Sequence, residues 1–285
     1  MEPQRQVGRP GVLGGLALSC HPVPTSGVTA LAAVLSAAIG LSPGRTALVA
    51  ITVLAGQLSI GWSNDAIDAE RDARTARADK PVATGAVPRS AVAVAAGGAL
   101  AATIALSLAV GVLAGAVHLL FVACGWAYNL GLKSTAVSFV PYAIGFAALP
   151  SFVLLARPGA PAPPWWLAGA GGLLGIGAHL VNVLPDLDDD RATGVRGWPH
   201  RLGRRRSTAT VAAALGTASL LLVLAPPGSP NTGALGGVAL ALAAAAAVAW
   251  LGFRRPDSGR MLLLGVIAVA LIDIGLLVTG ASRLR

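Results

Sequence analysis

Twice the chain sets an asparagine and two aspartates at four-residue intervals. The first set is Asn64, Asp68 and Asp72, in SNDAIDAERD; the second is Asn182, Asp186 and Asp190, in VNVLPDLDDD. On a regular α-helix, positions i, i+4 and i+8 stack on one face, one turn above the next. The spacing therefore predicts that each set points two carboxylates and an amide in a common direction. Asp65, Glu70 and Asp79 accompany the first set and Asp188 and Asp189 the second, so these two stretches hold nine of the twelve acidic residues. Such clustering calls for a counter-charge. Neither cluster contains Cys or His, and oxygen donors alone suit a hard cation. Mg²⁺ takes one or two carboxylates and fills its remaining positions with water and substrate phosphate oxygens. Two such clusters facing each other can hold a diphosphate between them.

The rest of the composition says where this chemistry sits. Of the 285 residues 55% are hydrophobic and only 12% charged, with a mean hydropathy of +0.72. Several apolar runs reach the roughly 20 residues that cross a bilayer. A soluble core helix rarely stays apolar all round for that length, so the chain is expected to be an all-α integral membrane protein in one domain over residues 1–285. Nine spans are expected, at about 24–42, 46–63, 90–109, 112–132, 135–156, 165–184, 208–226, 234–253 and 261–280, after a tail over residues 1–20. Only Gly111 marks the break between the third and fourth. Cys20 and Cys124 are far apart in sequence, and no disulfide is expected.

The net charge of +9 would suggest nucleic acid in a soluble protein. Here the basic residues lie in short loops, and topology explains them better. With the N-terminus inside, seventeen of the twenty-one basic residues fall on the cytoplasmic side; Arg45, Arg157, Arg283 and Arg285 fall outside. This supports nine spans, a cytoplasmic N-terminus, residence in the cell membrane and no nucleic-acid partner. Both acidic stretches then face the cytoplasm, after the second and sixth spans. Their offset of 118 residues, from Asn64 to Asn182, contains an even number of spans. The halves therefore read as parallel repeats, whose acidic faces can meet across one cavity.

Acids and bases in a cytoplasmic loop are usually only solvated. Asn64 and Asn182, however, directly join apolar runs, and ionised groups at a membrane boundary usually face an internal cavity. Of the bases, Arg77 and Lys80 follow the first cluster, and Lys133 closes the fourth span after Tyr128. Arg77 and Lys133 are the two read as gripping a diphosphate. His179 lies one turn before Asn182 and is a candidate substrate contact. His118 and Asp273 are read as buried and have no assigned role.

With these residues in view, the chain resembles a family. NDAIDAERD is similar to the NDxxDxxxD signature of the UbiA superfamily of intramembrane prenyltransferases, and DLDDDRATG to its second motif, DxxxD followed by Gly. DKPVATGAV resembles the family's Arg-Pro-x-x-x-Gly stretch, with Lys80 where Arg is usual. YNLGLKS resembles its Tyr-x-x-x-x-Lys-Arg stretch, with Ser134 where Arg is usual. The likeness runs from about residue 20 to 280. One departure is His21-Pro22, where many members carry Arg-Pro in a region that helps shape the acceptor side. The resemblance implies a helical bundle open laterally to membrane lipid. It also implies Mg²⁺-assisted transfer of an isoprenoid from its diphosphate to an aromatic or lipid-soluble acceptor. On that reading Asp68, Asp72, Asp186 and Asp190 hold the metal. Asn64 and Asn182 orient water or phosphate, and Arg77 and Lys133 hold the diphosphate. Asp65, Lys80, Tyr128 and His179 are further substrate contacts.

Two other readings are distinguishable. A terpene cyclase of the same superfamily would use the same metal–diphosphate site and trap the cation with the substrate's own double bond. An ion-coupled transporter would carry polar groups on broken helices near mid-membrane, whereas these acids gather at one membrane face. The charge asymmetry makes a direct prediction about topology. A cysteine placed at Arg205, in a chain lacking Cys20 and Cys124, should stay unlabelled when intact cells meet an impermeant thiol reagent, and should be labelled once the cells are opened.

Overall fold

Proline and serine set where several of the helices begin. Pro22 and Pro43 occupy first-turn positions, where a missing N–H costs nothing, and the Ser42 hydroxyl accepts from the Arg45 amide at 3.4 Å. The structure is a computed structural model and describes residues 11–75, 80–192, 194–254 and 259–280. All regular structure among them is helical. The helices are α1 (Val12–Ser19), α2 (Pro22–Ala38), α3 (Pro43–Arg74), α4 (Arg89–Val110), α5 (Val112–Asn129), α6 (Val140–Leu155), α7 (Trp165–Val183), α8 (Leu187–Ala192), α9 (Trp198–Leu224), α10 (Thr232–Arg254) and α11 (Gly259–Thr279). Short 3₁₀ turns cover Leu132–Ser134 and Leu184–Asp186.

Each expected apolar run coincides with a helix. Six of them (α3, α4, α5, α7, α9 and α10) are long and apolar enough to cross a membrane, and α1 with α2, bent by 62°, together form a seventh candidate. The chain is thus a multi-pass membrane protein. The stretch expected to be a tail contains α1, which packs on α3: Trp62 Nε1 donates to Leu16 O at 2.9 Å. The thin break at Gly111 is real. This single residue joins α4 to α5 at φ 149°, ψ 152°, a conformation open essentially to glycine alone.

The second acidic set departs from expectation. Asn182, Asp186 and Asp190 do not share one regular helix. α7 ends at Val183, a 3₁₀ turn carries Asp186, and Asp190 lies on α8. Pro185 is the physical cause, since its ring and missing N–H disfavour a continuous α-helix.

Two apolar clusters fill the bundle. One gathers α2, α3, α5, α6 and α7 around Leu35, Val53, Phe152 and Leu167; the other gathers α7, α9, α10 and α11 around Leu180, Leu215, Leu262 and Val269. α7 belongs to both, so the second motif follows the helix that joins the two halves. Arg45 ties the far ends of helices together: its guanidinium donates to Ala156 O and, at 2.6 Å, to Val110 O. These carbonyls close α6 and α4, where helical partners run out.

Small residues let α7 approach α6, as they do wherever helices pack without a hydrophobic drive between them. A Cβ on Gly171 would stand 2.4 Å from Phe146 O, and one on Gly175 2.3 Å from Tyr142 O. Both obstacles are backbone atoms and cannot swing away. Gly171→Ala should therefore cost about 1–3 kcal/mol of stability and lower the melting temperature in detergent. Gly97→Ala, with open space around it, should cost nothing.

Candidate active site

Most of the chemistry-bearing residues converge on one cavity of about 420 Å³. Its floor is α3, which contributes Asn64, Asp68, Arg71 and Asp72. Tyr128 of α5 and Lys133 of the following 3₁₀ turn stand on one side; Asn182, Asp190 and the start of α9 stand on another. The α1–α2 elbow, with Leu18, His21 and Val23, closes the remaining side. A smaller space, at the opposite ends of α7 and α9, is lined by Trp166, Leu222 and Leu276 and holds none of the motif residues.

The first set behaves as its spacing predicts. Asn64 Nδ2 donates to Asp68 Oδ2 at 3.2 Å, one turn along the same face. Asp68 and Asp72 are both buried, and buried carboxylates persist only with partners. Arg71 supplies them, reaching Asp68 Oδ2 at 3.0 Å and Asp72 Oδ1 at 3.4 Å. Lys133 Nζ bonds to Asp68 Oδ1. Burial lowers the pKa of the Lys133 ammonium, against the pull of Asp68 in the other direction. Both oxygens of Asp68 are thus bound by cationic donors.

Asn129 holds this arrangement against α5. Its amide donates to Ile60 O at 3.0 Å and Ser63 Oγ at 2.8 Å, and its oxygen accepts from Asn64 at 3.2 Å. Trp126 Nε1 donates to Ser59 Oγ at 2.9 Å one turn away. The ends of α3 and α5 are therefore stitched together by polar side chains, which is how a cavity at a membrane boundary keeps its shape.

Across the cavity, Asn182 is exposed and Asp190 lies 3.5 Å from His200 Nε2. Tyr128 packs edge-on to Tyr142 at 5.1 Å. His179 lies behind them, fully buried and 5.0 Å from the Tyr142 ring. Its Nε2 bonds to Ser138 Oγ at 3.0 Å, and Ser138 also accepts from Trp198 N at 2.9 Å. His179 is not among the residues lining the cavity; its contacts brace the aromatic wall. Asp65 also lies behind the surface, paired with Lys80 at 2.7 Å and His21 at 3.0 Å. Lys80 lines the cavity. Arg77 and the side chain of Asp186 lie outside the described residues.

Sequence reasoning missed Arg71, Asn129 and His200. By charge bias Arg71 reads only as one of the seventeen cytoplasmic bases, yet its place three residues after Asp68 is a usable signal for an i,i+3 pair. His200 had none, because only the fold brings the start of α9 to Asp190. His118 is structural: its Nδ1 bonds to Ser107 Oγ at 2.8 Å and the ring packs on Phe152. Asp273 is buried in α11, away from the cavity.

The donors facing the cavity fit a hard cation. Those of the two motifs are carboxylate and amide oxygens with no thiolate, and the two motifs converge from separate elements. Among the described residues there is no tight group of three metal-ligating side chains, which agrees with Arg71 and Lys133 being the present partners of the first set.

An all-helical membrane bundle with acidic helix ends turned into one cavity defines the class. The sequence profile of the UbiA prenyltransferase family matches residues 26–272, and the chain belongs to that family. No curated protein matches it by sequence. Among solved structures it is similar to a UbiA homolog from Archaeoglobus fulgidus bound to DMAPP and Mg²⁺, with 14% identity, a TM-score of 0.72, and 92% of this chain and 96% of that one covered. The apo UbiA homolog from Aeropyrum pernix K1 gives 19% identity and a TM-score of 0.72 over 88% and 97% of the two chains. A structure of digeranylgeranylglyceryl phosphate synthase gives 17% and 0.67 over 94% and 98%.

The Asn129 bridge makes a prediction. Asn129→Ala leaves Ser63, Ile60 and Asn64 each short of a bond, and a buried group left unpaired costs about 1–3 kcal/mol. The melting temperature should fall, and added diphosphate ligand should recover less of it than in the parent protein.

Proposed function

We propose that the chain is a Mg²⁺-dependent prenyltransferase. It moves a prenyl group from an isoprenyl diphosphate to an aromatic or lipid-soluble acceptor and releases diphosphate. The observation that carries this reading is the meeting of Asp68 and Asp72 with Asp190 around one cavity, beside cations able to take a phosphate charge. Family membership and the Archaeoglobus homolog solved with DMAPP, and also with GPP, each with Mg²⁺, support it.

Asp68, Asp72 and Asp190, with Asp186 by its place in the second motif, would hold the metal. Bound there, Mg²⁺ neutralises the charge that gathers on the leaving diphosphate. The chain's own residues do the rest. Lys133 and Arg71 are fixed donors beside Asp68, and preorganised donors of this kind stabilise developing negative charge without reorganising. Arg77, by its place after the first motif, adds to that positive side. Asn64 and Asn182 offer amides to water or phosphate. Tyr128, backed by Tyr142, gives an allylic chain an apolar, π-rich surface and helps keep water from the cation.

The reading extends to orientation. The nine apolar runs and the bias of basic residues to one side support nine spans, with the N-terminus and the cavity mouth at the cytoplasmic face of the cell membrane.

The test is product formation from geranyl diphosphate per unit of monodisperse, detergent-stable protein. Excess EDTA should abolish it and Mg²⁺ restore it. Asp68→Ala and Asp190→Ala should each remove most turnover. The double variant should lose little more than either one, because groups that act as a unit fail at the first deletion. Additive losses, or full turnover in EDTA, would overturn the reading.

A further inference from the structure

The elbow between α1 and α2 carries a group of side chains that cleavage of a diphosphate leaves unused. His21 caps α2 at φ 55°, ψ 70°, the only non-glycine residue at positive φ among the described residues. A bulky side chain adopts that region at a cost, and such strain persists only where the surroundings enforce it. Here they do. Cys20 O presses on α3 so closely that a Cβ on Gly61 would stand 2.5 Å from it. Thr25 Oγ1 donates to Cys20 O at 2.6 Å, and Trp62 Nε1 holds the preceding turn through Leu16 O at 2.9 Å.

The enforced backbone delivers the imidazole to Asp65. His21 Nε2 lies 3.0 Å from Asp65 Oδ1, and the carboxylate is 2% exposed. Lys80 Nζ donates to the same oxygen at 2.7 Å and stands 3.2 Å from the ring nitrogen. The tautomer with its hydrogen on Nε2 lets the ring donate to Asp65 Oδ1. Nδ1 then keeps its lone pair. The ring lines the cavity with its side chain 37% exposed. Asp65 Oδ2 is buried without a partner, and the carboxylate fixes the ring through Oδ1.

The same wall is apolar on its outer side. Leu18 and Val23 are 53% and 72% exposed, and Pro22 and Pro24 lie beside them on the cavity. Among the described residues Lys80 is the cation that reaches this wall, and it is paired with Asp65, so the elbow suits an uncharged molecule better than a carboxylate or phosphate.

We propose that His21 is the general base of the acceptor step, with Asp65 as its positioning residue, and that the acceptor is a neutral apolar molecule bearing a hydroxyl or a phenolic ring. The proposal rests on the prenyltransferase reading. In the step, the acceptor oxygen or ring carbon bonds to C1 of the prenyl group. The C1–O bond to diphosphate breaks with its electron pair leaving on the diphosphate. The proton from the acceptor O–H or ring C–H passes to His21 Nδ1. Nothing is oxidised or reduced.

The experiment uses full-length protein, geranyl diphosphate and Mg²⁺ with two neutral probes, 1,4-dihydroxynaphthalene and 1-oleoylglycerol. It includes their anionic counterparts, 1,4-dihydroxy-2-naphthoate and 1-oleoylglycerol 3-phosphate. Mg²⁺-dependent binding of geranyl thiodiphosphate to the wild-type protein tests the prenyltransferase reading by itself. At least one neutral probe should be prenylated faster than its anionic counterpart. His21→Gly should lower that product about 100-fold, the scale of general-base catalysis, and added imidazole should restore a large part of it. Glycine adopts φ 55° without strain and Asp65 keeps its Lys80 partner, so this variant should remain folded and monodisperse in detergent. Asp65→Asn should lower kcat for the acceptor with little change in KM. Preference for the anionic probes, product from none of the four, wild-type rates in His21→Gly, or a loss that imidazole leaves unrepaired would each overturn the proposal while geranyl thiodiphosphate still binds.

Discussion

Asp68 sets the terms for the rest of the cavity. A carboxylate taken this far out of water costs several kcal/mol unless charge and hydrogen bonds meet it. Three side chains are committed to meeting it. Lys133 comes from the turn after α5, Arg71 from the next turn of α3, and Asn64 from the turn before. Asn64 is in turn fixed by Asn129, so the end of α5 is registered against α3 by the same network that satisfies the acid. Close packing adds to this at the next loop, where a Cβ on Gly197 would stand 2.5 Å from Lys133 O. Electrostatic need at one carboxylate thus propagates into the placement of two helices and two loops.

The aromatic side answers a different constraint. Gly171 and Gly175 bring α7 against α6, and that approach sets the Tyr142 ring beside His179 and Tyr128. His179 has its hydrogen bond to Ser138, which also receives the amide that opens α9. One serine therefore joins the wall to the helix that carries His200. Packing of small residues in lipid builds this side, whereas charge pairing builds the floor.

What was legible in the sequence follows from which interactions are local. Asn64, Asp68 and Asp72 are related by helical period alone, and their shared face needed nothing from the fold. Gly111 was legible because only glycine tolerates the link it makes. The second motif was harder. Its i, i+4, i+8 spacing matched the first, but Pro185 outweighs spacing and divides it among a helix end, a 3₁₀ turn and a short helix. The positions of His179 and Asp65 were not readable, since facing the cavity and standing one layer behind it differ by a rotation that tertiary packing decides. Residues joined only by the fold, such as His200 beside Asp190, left no trace in spacing.

These two constructions divide the cavity by polarity. The floor and the Lys133 side gather paired charges that a divalent cation and a diphosphate can rearrange among themselves. The elbow has its own closed ion pair, Lys80 with Asp65, separate from the Asp68 network. Charge on one side is therefore available for exchange with a ligand, and charge on the other is already spent within the protein. In the proposed reaction that separation matters. The leaving diphosphate and the incoming nucleophile must share one prenyl carbon, and an acceptor wall with spare positive charge would compete for the leaving group. Pairing Lys80 internally removes that competition and leaves the elbow to be shaped by Leu18, Pro22, Val23 and Pro24 for an apolar molecule arriving from lipid.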